Sequence, residues 1–100
     1  MEENEIFLKL AMEIIISALT DPIKKHQKTH CFYKGKIKTE FLIEKCEENI
    51  EFARKNKIIT LYCDACREDI DDDWLRLKII RRNQEYIKKY QQIVIEQNDK

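Results

Sequence analysis

Four side chains have the types and spacing to hold a metal ion. Cys63-Asp64-Ala65-Cys66 places two thiols two residues apart, and His26 and His30 stand at His-x3-His spacing. Zinc takes four nitrogen or sulfur ligands in a tetrahedron, so this set would accept one structural zinc. Cys31 is an alternative ligand for either histidine. The order reverses that of the common zinc finger and the gap is longer. Ordinary buried cysteines and half-buried histidines are the plainer account of the same residues. Cys46, inside an apolar stripe, is expected in the core. Cys63 and Cys66 would also suit a strand, a thiol pair and a following helix, where a helix N-terminus activates the first thiol. Against this, Asp64 and the acids from Glu68 to Asp73 oppose a thiolate, and one long helix follows where a redox fold needs more strands.

The second group is basic. Lys78, Arg81, Arg82, Lys88 and Lys89 fall on one side of a C-terminal helix, away from its apolar seam, and would suit nucleic-acid phosphates. Trp74 lies near the start of this stripe and Glu85 within it. A second patch, Lys24 to Lys38, includes Phe32 and Tyr33. The acidic run Asp69 to Asp73 fails as a calcium loop, because the positions that need glycine and glutamate hold Trp74 and Ile80. With Gly35 the only glycine, no phosphate-cradling loop exists. No nucleophile motif is present, so an enzyme is not expected.

Long helices must position these groups. Gly35 and Pro22 are the only breakers, so few tight turns can form. Residues 3–19 carry Phe7, Leu10, Ala11, Ile14, Ile15 and Ala18 at helical spacing, widened by Ile6, Ile16 and Leu19. A helix apolar on so many sides is expected at the centre of the core. Asp21 suits an N-cap and Pro22 the first position of a short helix running to about residue 30. Residues 31–38 fit a hairpin turning at Lys34-Gly35. Residues 39–56 make another helix with Leu42, Ile43, Cys46, Ile50 and Ala53 as its stripe. Residues 57–63, rich in Ile, Thr and Tyr, predict a strand. Residues 71–97 predict a long helix in which Ile79-Ile80, Tyr86-Ile87 and Ile93-Val94 recur every seven residues. Asn83, Gln84 and Gln91 dilute that seam. At about 1.5 Å per residue the helix outruns a globule of this size, which suggests pairing with a second copy.

The expected fold is therefore mostly α: one domain over residues 1–100, three to four helices, a small β element at 31–38 and 57–63, and a long C-terminal helix. Hydrophobic residues make up 43% of the chain, which excludes a disordered polar chain. Net charge is zero, which argues against a strongly basic nucleic-acid module. The charge is nonetheless blocked: residues 20–38 and 76–89 are basic, 40–51 and 64–73 acidic. The N-terminus is acidic where a secretory signal needs positive charge, and the apolar run Leu10 to Leu19 is too short to span a bilayer. The expected setting is the cytoplasm, with no membrane partner. The expected function is a small non-enzymatic regulator or inhibitor, of viral or mobile-element type, that binds a protein partner and forms a homodimer. The alternative is a zinc-stabilised nucleic-acid-binding module.

Overall fold

The sequence places polar residues at the points where four helices end or begin, and the longest helix gathers them. A computed structural model describes residues 3–28, 39–66 and 68–98. Its five helices are α1 (Glu3–Leu19), α2 (Pro22–Lys28), α3 (Thr39–Lys55), α4 (Ile58–Ala65) and α5 (Asp72–Asn98). The fold is mostly α, and no strand occurs among the described residues. The expected hairpin at 31–38 lies outside them. The 27 residues of α5 run roughly 40 Å at 1.5 Å per residue. They form the spine of a body measuring 54 × 27 × 18 Å.

Two helix starts follow from local chemistry. Asp21 caps α2: its carboxylate accepts the Ile23 amide at 3.1 Å, and Pro22 fills the first position, buried. Asp71 caps α5, accepting the Asp73 amide at 3.2 Å. The acids that follow it sit at the positive end of the helix dipole.

The segment 57–63 is helical, correcting the expected strand. The Asn56 side chain accepts the Ile58 amide at 2.9 Å and starts α4. Ile59 is fully buried beside Ala53 and Ile79, while Ile58, Tyr62 and Cys63 pack around that cluster. Positions 58, 59, 62 and 63 share one helical face and Leu61 points out, so burial on a 3.6-residue period overrides the β preference of the residue types. α4 is thus a helix beyond the three or four expected.

The core is the α3–α5 pair. Tyr90 packs on Leu42 and Cys46, Asn83 bonds Asn49, and Arg76 bonds the Ala53 carbonyl, so the two helices run antiparallel. The first two pairs of the α5 seam, with Tyr90, are used here against the chain's own helices, while Ile93 of the third pair stays exposed. α1 enters the core, giving Ile15 and Ala18 to the cluster of Ala53, Ile59, Leu75 and Ile79, but through a narrower stripe than expected. Only Ala11, Ile15 and Ala18 of its 17 residues are buried, with the small alanines allowing close approach to the rest of the body.

Between the apolar seam positions, Arg76, Asn83 and Tyr90 also recur every seven residues, and each meets the end of a different helix. Arg76 donates to the Ala53 and Asn56 carbonyls where α3 finishes. Asn83 donates to the Ala18 carbonyl at the end of α1, and Tyr86 to the adjacent Leu19 carbonyl. Tyr90 donates to Asp21, the cap of α2. Helix ends leave backbone groups unpaired, and here one spine satisfies them in register.

Asn83 is fully buried, with both amide hydrogens bonded (Ala18 and Ile79 carbonyls, 2.8 Å each) and its oxygen accepting from Asn49 at 3.0 Å. A satisfied polar group in a helical seam selects one register over its neighbours. Asn83→Ala is expected to lower stability by about 2 kcal/mol, through the orphaned Ala18 carbonyl and Asn49 amide. A urea titration followed by circular dichroism reads this, and a midpoint equal to wild type would refute the role.

Candidate functional site

α1 is apolar on nearly every side yet buries one narrow stripe, so its flanks are left in solvent. Ile6, Leu10 and Ile14 lie on one flank, Met12 and Ile16 on the other. Leu10 is 54% exposed and Ile14 44%. These two face Phe52 of α3 across an open groove bordered by Glu13 and Glu48. Glu48 pairs with Lys45 at 3.2 Å but stays exposed. Glu44, Glu47 and Glu51 lie on the solvent side of α3, Glu51 paired with Lys55, so the groove is apolar with Glu13 and the Lys45-paired Glu48 at its edges. An apolar strip rimmed by charge is the usual mark of a contact surface.

The outward face of α5 has the opposite character. Trp74 (54% exposed) and Leu77 (47%) form an apolar ridge beside Lys78, Arg81, Arg82 and Glu85. The Lys78 ammonium sits 4.8 Å from the centre of the Trp74 ring, a cation–π contact that holds the indole on the helix surface. Of the five basic residues expected here, Lys78, Arg81, Arg82 and Lys88 are exposed on this face. Lys89 also reaches solvent, but its ammonium is paired with the Asp21 carboxylate. Its charge is committed to the fold.

Cys63 and Cys66 are the two expected metal ligands whose side chains fall among the described residues. Cys63 lies in the last turn of α4, and Cys66 caps its C-terminus, its amide donating to the Tyr62 carbonyl at 2.9 Å. Burial raises the Cys63 thiol pKa, and the charges of Asp72 and Asp64 raise it further. The thiols follow a helix instead of preceding one, at the negative end of its dipole, so the redox geometry is not formed. His26 belongs to α2, but its side chain, like His30 and Cys31, lies outside the described residues. Among the described residues, no group of three or more His, Cys, Asp or Glu side chains could hold a metal ion. Cys46 is buried as expected, its thiol pushed up to about 11 by desolvation and by the neighbouring Asp21 charge.

Two polar clusters were not foreseen. Arg76 donates to Asp72, Thr60 and the two α3 carbonyls, while Thr60 donates to the other Asp72 oxygen at 2.9 Å. The signal was the four-residue spacing from Asp72 to Arg76 in the first turns of a helix. Asp21 gathers Lys89, Tyr90 and the Ile23 amide. Only its capping role was legible, because the other partners stand 68 and 69 residues away. These clusters hold helices together and face inward, whereas the groove and the ridge face outward. No helix among the described residues is long and apolar enough to cross a membrane. The chain matches no protein-family model, no curated protein and no solved structure.

Proposed function

We propose that this chain acts by binding, as a small non-enzymatic regulator or inhibitor whose α1–α3 groove docks an amphipathic helix of a protein partner. The observation that carries this reading is the exposure of Leu10 and Ile14 beside Phe52, between Glu13 and Glu48. A groove between two helices accepts a third helix with anchors at three- and four-residue spacing. The glutamates favour basic residues at its edges and disfavour acidic ones.

The test uses two labelled synthetic helices, one built of leucine and lysine, the other of leucine and glutamate. Fluorescence anisotropy is expected to show saturable binding of the first and none of the second. Ile14→Asp is expected to weaken binding roughly thirtyfold, about 2 kcal/mol, with helicity unchanged by circular dichroism. Equal binding of both peptides, or indifference to Ile14→Asp, would refute the groove as the docking surface.

A second reading, nucleic-acid contact through Lys78, Arg81, Arg82 and Lys88, is favoured by the exposed Trp74 on the same face. Binding of a labelled single strand that falls steeply with salt, and falls again in Trp74→Ala, would support it.

A further inference from the structure

We infer that the groove's occupant is a second copy of this chain, which seats the Trp74–Leu77 ridge of its α5 between Glu13 and Glu48. The inference rests on the docking groove proposed above and names what fills it. Three observations meet. The groove is apolar with Glu13 and the Lys45-paired Glu48 on its rim, and the ridge is apolar with Lys78, Arg81 and Arg82 beside the single Glu85 that lines it. Each surface thus supplies what the other lacks, which steers encounter and fixes register. Second, the ridge is built from side chains that anchor interfaces: tryptophan, leucine and arginine, with Lys78 already ordering the indole. An ordered anchor loses less rotamer entropy on docking. Third, net charge is zero, so no overall repulsion opposes copies stacking groove to ridge.

The symmetry follows from where the two surfaces lie. The groove is formed by α1 and α3, and the ridge is the side of α5 turned away from α3. One copy's groove takes its neighbour's ridge while its own ridge stays free. Such a contact is heterologous, producing rings or open chains in place of a closed two-fold dimer. The α3–α5 seam takes no part, since each chain uses its own. Glu85, which lines the ridge, and the exposed Asp71 and Asp73 at its start are the residues least suited to the acidic rim.

Sedimentation velocity of the full chain, over a range of concentrations and two salt levels, tests this. Wild type is expected to form species larger than a dimer at low salt, shifting towards monomer as salt rises. Ile14→Glu, which spoils the groove, and Leu77→Glu, which spoils the ridge, are each expected to be monomeric. Mixed together they are expected to form a one-to-one heterodimer and nothing larger, because each retains one competent surface. Lys78→Glu, on an exposed side chain, gives a ridge variant that leaves all buried packing untouched and should also be monomeric. Wild type that stays monomeric at millimolar concentration in low salt overturns the proposal, as does a mixture that fails to pair. If the leucine–lysine peptide still binds such a monomer, the groove reading survives and only the self-docking fails. If neither occurs, both fall.

Discussion

Arg76→Ala is expected to lower stability by about 3 kcal/mol. The guanidinium donates to the Asp72 carboxylate at 2.8 Å, to the Ala53 carbonyl at 2.8 Å, to the Asn56 carbonyl at 3.0 Å and to the Thr60 hydroxyl at 2.8 Å. It therefore joins α3, α4 and α5 at one point, with its positive charge at the negative end of the α3 dipole. Its side chain is only 17% exposed, so water replaces little of what is lost. Removing it takes the guanidinium from two carbonyls and from one oxygen of the Asp72 carboxylate, whose other oxygen keeps the Thr60 hydroxyl, in a half-buried setting. Arg76→Lys is expected to recover less than half of the loss, because an ammonium is a single point and cannot reach both carbonyls and Asp72 together. For a domain this size the alanine variant should melt about 15 °C below wild type. Arg82→Ala, on the exposed face of the same helix, should melt within a few degrees of it. A similar melting temperature for Arg76→Ala and Arg82→Ala would show that the helix junction is held by apolar packing alone.

The difference between these two arginines explains what could be learned from the sequence. Both are basic residues in a helical run, and periodicity alone assigns both to a polar side. The apolar spacing located α1, α3 and α5 to within a residue or two, and Asp21-Pro22 marked the start of α2 through its own local chemistry. Residues 57–63 were misjudged because Ile58, Ile59 and Thr60 favour strands by type, while the helical spacing of 58, 59, 62 and 63 was the better guide. Asn83 seemed to weaken the seam; in three dimensions it seals the end of α1. That role depends on residues 65 positions apart meeting, which no local pattern encodes. The outward placement of Lys78, Arg81, Arg82 and Lys88 was legible, since residues opposite an apolar seam face solvent. The groove was not. A wide apolar surface on α1 announces burial, and only the packing reveals that the core takes Ile15 and Ala18 and leaves Leu10 and Ile14 uncovered. Of the expected metal ligands, Cys63 lies in the last turn of α4 and Cys66 directly after it, while the His26 and His30 side chains lie outside the described residues.

The stability of this fold is expected to decline in acid through Asp21, and the sign follows from its partners. Burial alone would raise the pKa of this carboxyl. The Lys89 ammonium, the Tyr90 hydroxyl and the Ile23 amide outweigh burial and bring it below its ordinary value of 3.8. A group whose folded pKa is depressed binds fewer protons folded than unfolded, so stability rises with pH across its titration. The contribution is complete above the unfolded pKa, by about pH 5, and is lost as pH falls through 3.8 and the lower folded value. Asp21→Ala is expected to cost about 3 kcal/mol at neutral pH, combining a lost helix cap with a buried Tyr90 hydroxyl left without its acceptor. Asp21→Asn keeps an acceptor for Tyr90 and Ile23 and should lose less, while erasing the acid step. Urea unfolding of wild type and Asp21→Asn at neutral and acid pH isolates this residue, because every other carboxylate cancels between the two proteins. The gap between them should narrow in acid, and a gap that stays constant would mean that Asp21 is not the titrating group. The alkaline side runs by the opposite sign. Cys46, held near 11 against an ordinary 9.0, and Tyr90, also raised, keep their protons longer in the folded chain. Stability should therefore fall as pH rises beyond 9, when the unfolded chain ionises first. Asp21 contributes to both shifts, since its negative charge opposes ionisation of the thiol and its carboxylate accepts the Tyr90 hydroxyl. Asp21→Asn should accordingly remove the acid step and lessen the alkaline one, whose larger cause, burial of the thiol and the hydroxyl, remains.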